Sequence, residues 1–425
     1  MTIALDKIDL DRLEKDFECS DWPEFYRFFH DQIEMKLASR ESTLAMLPAY
    51  LHSKHKFKVP ADAFAIDWGG TRMRFSHFLL EPTTNSSFKL KHLANKDCDF
   101  DWQKLSPETL FLKIAQSFSQ FLNDTYQGLS RSPLGLTFSF AFEQSSLHEA
   151  KILSFSKGYD ASEFLGKNPL ELLKNAFYSR SIKIEPKAIV NDTSASFLAG
   201  IDHPFCSGSA ILGTGFNLSY LVNEQQTKEM LYVLEAAQLD LSKRWTDYDQ
   251  EADLGSKDYL QHPFEKMLSG KYLGRIFKTI VSSLANNLSD SQAFFLGKTQ
   301  TMSLIESANK EEIRDLFLFQ GLNLKGDPLV LQRICRIISD RSVNYLAHSL
   351  VALARYQNSN FEKKRAFVID GSVYYRYFNY SKRLLEQVKK LSNDKLILIE
   401  RPNASALGAA LASLIQEDAI SKIHT

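Results

Sequence analysis

Residues 66–74 read Ile66-Asp67-Trp68-Gly69-Gly70-Thr71-Arg72-Met73-Arg74, and the fold class follows from this stretch. Phe64-Ala65-Ile66 is a short apolar strand that ends on an acid. Gly69-Gly70 is a turn, and Met73 to Leu80 is a second strand. A Thr/Asn/Ser turn at 83–87 leads to a third strand near 88–93. Glycine lets backbone N–H groups approach an anion, and the Thr71 hydroxyl adds a donor. Asp67, at its strand end, is placed to serve Mg²⁺ directly or through water. The same residues also read as an ordinary hairpin turn.

The theme recurs further along. Ala188-Ile189-Val190 is a strand, 193–200 a short helix of small residues, and Ser209 to Leu212 another strand. Gly213-Thr214-Gly215 is a turn, and Leu218 to Val222 the strand after it. Two such turns, one per unit, suit a polyphosphate gripped from both sides. Between them, Ser106-Pro107-Glu108 starts a helix whose Leu110, Ile114, Phe118 and Leu122 form one buried stripe. Leu134 to Phe140 is again a strand. A helical stretch is expected over 263–356, then a strand at Ala366–Ile369, a helix from Tyr380, a strand at Leu396–Ile399 and a final helix opened by Gly408-Ala409-Ala410. Residues 5–52 read as helical, with Leu44, Leu47 and Leu51 at helical spacing. Gly297-Lys298-Thr299 looks like the tail of a phosphate loop, but Gln292 stands where its first glycine belongs.

The chain has 425 residues, with 51 Lys+Arg against 51 Asp+Glu. A net charge of zero argues against a general binder of nucleic acid or anionic membrane. The four cysteines form no CxxC pair, which fits a reducing compartment. The N-terminus meets acidic residues at once and lacks an apolar h-region, and no run of about 20 apolar residues would span a bilayer. A cytoplasmic protein without membrane or nucleic-acid partners is expected.

Val190-Asn191-Asp192-Thr193 places an acid just beyond a buried strand. An Asp there can take a proton from a substrate hydroxyl while Asn191 fixes the substrate; equally, these residues suit a helix N-cap. Ser156-Lys157-Gly158 supplies a hydroxyl donor and a cation, or a solvated lysine. Glu265 sits in Phe264-Glu265-Lys266-Met267 and also reads as a first-turn acid. Asp370-Gly371-Ser372 also reads as a strand-to-helix turn.

Taken together, these segments resemble the hexokinase/glucokinase family, in the family's order from about residue 40 to 415. Residues 66–74 and 212–217 are similar to its two phosphate motifs. Leu134 to Phe140 with Ser156-Lys157-Gly158-Tyr159 is similar to its sugar signature, and Val190 to Thr193 to the segment of its catalytic Asp. Phe264 to Gly274 is a nearly continuous match, and Arg341-Ser342 and Ile369 to Tyr374 complete the set. Arg72 stands where the family has Asn, Ala141-Phe142 replaces Pro-Cys, and Glu235-Ala236-Ala237-Gln238-Leu239-Asp240 is all that remains of a Glu-Trp-Gly-Ala-Phe-Gly segment. Ala404 to Gly408 stands for a late glycine-rich nucleotide loop.

The resemblance implies an α/β fold of two actin-like (ribonuclease H-like) domains flanking a sugar/ATP cleft, with extra helices. The expected units are an N-terminal helical segment at 1–60 packing on the large domain, a small α/β domain at 61–190 and a large one at 191–407. The helix of 408–425 is expected to return to the small domain. The implied activity is ATP-dependent, Mg²⁺-assisted phosphorylation of a hexose, glucose first, at its 6-hydroxyl. Asp192 is the implied base, with Lys157 as a second catalytic residue. Ser139, Ser156, Lys157, Asn191, Asp192, Asn217, Glu235 and Glu265 would hold the sugar. Asp67, Gly69, Gly70, Thr71, Arg72, Gly213, Thr214, Gly215, Gly371 and Ser372 would hold the nucleotide, with Asp67 toward Mg²⁺. The alternative is a sugar-binding regulator on the same fold with weak or lost kinase activity. The changes at 141–142 and 236–240 point to a third option, a kinase for a modified sugar.

Overall fold

A computed structural model describes residues 1–58, 61–69, 73–82, 88–98, 105–126, 131–140, 142–153, 162–224, 228–285, 287–358 and 361–416. Two sheets repeat one strand pattern. In the first, β1 (Ala61–Trp68), β2 (Met73–Pro82) and β3 (Phe88–Cys98) form an antiparallel meander. β4 (Pro133–Phe138) and β5 (Glu185–Val190) extend it as parallel strands, in the order β3-β2-β1-β4-β5. In the second, β6 (Cys206–Leu212), β7 (Phe216–Glu224) and β8 (Lys228–Val233) are the meander. β9 (Arg365–Asp370) and β10 (Leu396–Glu400) are the parallel extension, and the short strand Leu47–Pro48 adds an edge beyond β8. This is an α/β architecture with extra helices.

The parallel strands are covered on both faces, which is why they read as unbroken apolar runs. Phe64, Ala65 and Ile66 are fully buried, as are Ala366, Phe367, Val368 and Ile369. The helix Pro107–Thr125 begins as its sequence predicts. Ser106 accepts the Thr109 N–H at 3.3 Å, Pro107 occupies the first turn, and Leu110, Ile114 and Phe118 are buried. They share a core with Trp68, which meets Phe138 edge-on at 5.1 Å. In the second half, the 27-residue helix Leu329–Arg355 runs through the larger core, and the helices Leu10–Phe17 and Trp22–Leu37 pack on it.

The helix Ala404–Leu414 lies across β1, β4 and the helix Asp192–Ala199. The approach is backbone to backbone: a Cβ on Gly408 would come within 1.7 Å of the Ala195 carbonyl oxygen. No described helix is long and apolar enough to cross a membrane.

Several expectations are corrected. Leu44, Leu47 and Leu51 do not lie on a helix, because Leu47–Pro48 pairs with β8 while Met46 and Tyr50 take positive φ of 45° and 54°. Pairing with a sheet edge wins there over helical spacing, and Pro48, which has no N–H, is tolerated at an edge. The stretch 263–356 is not one helical run; it divides into six helices and the strand Asn323–Lys325, which pairs with Thr2–Ala4. The last helix starts at Ala404, four residues before Gly408, so the segment read as a glycine-rich loop is a buried helix start.

Candidate active site

Strand register brings the acids together. Asp67 is level with Thr137 across β1 and β4, and Ile211 is level with Asp370 across β6 and β9. Asp192 follows the end of β5. All three acids lie at or just beyond the carboxyl ends of strands, where open α/β sheets present their ligand sites. They face one cleft of about 280 Å³.

One wall of the cleft is polar and held by backbone bonds. Asn191 caps the helix Asp192–Ala199: its side-chain oxygen accepts the Thr193 N–H at 3.0 Å and the Thr193 hydroxyl. The N-cap is thus Asn191, which places Asp192 in the first turn, lining the cleft. The Asn217 side-chain oxygen accepts the Leu218 and Ala236 N–H groups at 2.8 and 3.2 Å, and its amide donates to Glu235 at 3.1 Å. Buried Glu265 accepts the Phe216 N–H at 2.8 Å. Glu235 and His262 both take left-handed backbone conformations, φ 51° and 52°, a strain that non-glycine residues hold only where their surroundings impose it. Pro263 then opens the short helix that carries Glu265.

The opposite rim is acidic. Burial raises the carboxyl of Asp67; the 2.6 Å bond from the Thr137 hydroxyl works against this, and the charge of Asp192 adds to it. Burial pushes Asp370 up to about 6, against the Gly371 N–H bond at 2.7 Å, and the charges of Asp67 and Asp192 raise it further. Each ionised acid disfavours ionisation of the next. Among the described residues no cluster of three metal-ligating side chains encloses an ion.

The second turn is fixed from behind. The Gly213 and Thr214 carbonyls accept the N–H groups of Gly270 and Lys271 at 2.8 and 3.0 Å. The Gly213 N–H is spent on Gly215 O at 2.9 Å, leaving the Thr214 side chain exposed at the cleft. Gly371 has φ 118°, and a Cβ there would strike the Leu212 carbonyl at 2.2 Å, so only glycine fits beside this turn.

Asp67, Gly69, Ser139, Asn191, Asp192, Gly213, Thr214, Gly215, Asn217, Glu235, Glu265, Gly371 and Ser372 all line the one cleft. Gly70, Thr71, Arg72, Ser156 and Lys157 lie outside the described residues. The sequence reading missed Thr137, Gln238, His262 and Ser405, and gave Asp370 no role. His262 precedes a proline three residues before Glu265, and Asp370 belongs to a turn already singled out; those were the available signals. Gly297-Lys298-Thr299 is structural: the Thr299 hydroxyl donates to Gly270 O at 2.7 Å.

Two family models, both described as hexokinase, match residues 9–201 and 208–415. Among characterised relatives, Hexokinase-2 of Rattus norvegicus is 28% identical over 431 residues, covering 92% of this chain and 46% of its own length. Hexokinase-3 of Mus musculus is 28% identical over 411 residues, covering 89% and 44%. The chain therefore spans about half the length of the curated relatives it matches. A Schistosoma mansoni hexokinase solved with glucose superposes with a TM-score of 0.82 at 22% identity, over 96% of this chain and 98% of that one. A second hexokinase crystal structure gives 0.77 at 22%, over 95% and 97%. With both family models matched in order and the fold shared almost end to end, the chain belongs to the hexokinase family.

Proposed function

We propose that the chain transfers the terminal phosphoryl group of ATP to the 6-hydroxyl of a hexose, glucose first. The observation that supports this best is the sharing of one cleft by three kinds of group: a helix-start carboxylate, a wall of preset amides and carboxylates, and the strand-end residues Gly69, Gly213, Thr214 and Gly215. In this reading Asp192 takes the proton from the 6-hydroxyl as that oxygen attacks the γ-phosphorus, ADP leaves, and the proton passes later to solvent. Ser139, Asn191, Asn217, Glu235 and Glu265 bind the remaining hydroxyls, a task the family resemblance also gives to Ser156 and Lys157. An amide or carboxylate can serve two neighbouring hydroxyls, and positioning supplies much of phosphoryl-transfer catalysis. Gly69, Gly213, Thr214, Gly215, Gly371 and Ser372 take the phosphates, a task the family resemblance also gives to Gly70, Thr71 and Arg72. Asp67 would hold Mg²⁺, which when bound neutralises phosphate charge.

The test is a coupled ADP-release assay of the purified chain with glucose and Mg·ATP, followed by a panel of hexoses. Saturable turnover that depends on both substrates is expected. Sugar binding without turnover would instead leave the regulator reading.

A further inference from the structure

Arg74 stands opposite Asp67 in the register of β1 and β2, so both side chains leave the same face of the first sheet. Its guanidinium reaches two ways. Nε donates at 2.6 Å to Asp97, which stands opposite it on β3, and Nη1 donates to the side-chain oxygen of Asn403. Asn403 belongs to the turn 401–403. There the chain leaves β10 of the second sheet for the helix Ala404–Leu414, which lies on the first. We infer that Arg74 is a positioning residue for the nucleotide: by fastening this turn to the first sheet, it sets how Asp370, Gly371 and Ser372 of the second unit lie over Asp67. The role rests on the proposed transfer from ATP.

The turn is fastened on three sides. Arg401 Nε donates to the Ala199 carbonyl at 3.3 Å and Nη2 to Asp202 at 3.1 Å, which ties the turn to the end of the helix that Asp192 begins. The Ala404 N–H faces the Asp370 carboxyl and favours its ionised form. Arg74 supplies the tie to the first sheet. Asn403 has a left-handed φ of 61°, and the helix behind it has no side-chain cap. An Asn there would ordinarily cap the helix, so the bond to Arg74 takes the place of a local one. Ser405, two residues on, lines the cleft, so a shift of the turn is felt there. Stability is not what the contact supplies. The Arg74 and Asp97 side chains are 29% and 47% exposed, and ion pairs in such settings add little to folding. The bond to Asp97 raises the proton affinity of Arg74, and the charges of Asp67 and Asp370 add to it, so a cation is held beside both acids of the rim. The sugar wall is fixed elsewhere: Asn217 is bonded to Leu218 and Ala236, and Glu265 to Phe216, all in the second unit. Loosening the turn therefore displaces the phosphate end and leaves the sugar end in place.

Titration calorimetry of the full chain with Mg·ADP in saturating glucose, and separately with glucose alone, tests this. Asn403→Gly removes the acceptor and suits the left-handed backbone. It should weaken Mg·ADP about tenfold and glucose by less than about twofold. Arg74→Met is the second variant, should the first fail to fold, and the same split is expected of it. The two combined should weaken Mg·ADP no more than Arg74→Met alone, because both break one bond. Tm should stay within about 2 °C of the unmutated chain. An unchanged Kd for Mg·ADP overturns the inference. So does an equal loss for both ligands, or a double variant whose losses add. If the unmutated chain binds both ligands but transfers no phosphoryl group, the kinase reading fails instead, and the same titrations still decide the role of Arg74.

Discussion

On one side of the cleft, Asn191, Asn217 and Glu265 each accept a backbone N–H, so their remaining lone pairs point where the fold sends them. On the other, Asp67 and Asp370 are half-buried acids that repel one another and Asp192. The polar side is held in place by backbone hydrogen bonds, while the acidic rim brings like charges together. Such a division suits a site that takes a neutral sugar by preset hydrogen bonds and a cation-bearing nucleotide by charge.

The largest expected effect breaks the comparison at its centre. Asp192→Asn keeps the size of the side chain and most of its hydrogen bonding but not its basicity. Its kcat should fall by at least about 10²-fold while the sugar KM changes little. A near-normal kcat would remove Asp192 from the base role. Next, Glu265→Gln retains an acceptor for the Phe216 N–H but loses the charge. Steady-state kinetics should show the sugar KM raised about tenfold, in keeping with bonds to charged groups, and the KM for ATP almost unmoved. Equal shifts in both would show that the two sides are not separable. Asp67→Asn should act in the opposite sense, raising the Mg²⁺ needed for half-maximal rate several-fold with the sugar KM unchanged.

The smallest effect concerns stability in the absence of ligand. The folded state holds the Asp370 proton up to about pH 6, against an ordinary value of 3.8. This group's contribution to stability is therefore fully present below about pH 4 and is lost as the pH rises through 6. Asp370→Asn should flatten the dependence of Tm on pH over that window and raise Tm at pH 7.5. Mg·ATP should flatten it in the unmutated chain. An unchanged slope in Asp370→Asn would show that the acid rim carries no such strain.

Much of the site was legible along the chain because glycine turns and strand-end acids are local signals. Asp67, Asp192, Asn217 and Glu265 were each marked by their immediate neighbours. Gln238 and His262 carried weaker marks, an altered segment and a following proline, and they share the cleft only because the fold brings them together.

The sequence by itself determined the buried strands and the helix starts. Phe64–Ile66 and Phe367–Ile369 are apolar without interruption, and Ser106-Pro107 caps and begins a helix whatever surrounds it, because these preferences act over a few residues. Tertiary structure alone decided that Leu44, Leu47 and Leu51 abandon helical spacing for a sheet edge, since the partner strand β8 lies about 180 residues away. It also decided that Asn191 rather than Asp192 caps its helix, which leaves the Asp192 carboxylate facing the cleft. The raised proton affinity of Asp370 belongs to the assembled fold as well, because burial and the charges of Asp67 and Asp192 arise only when distant strand ends converge.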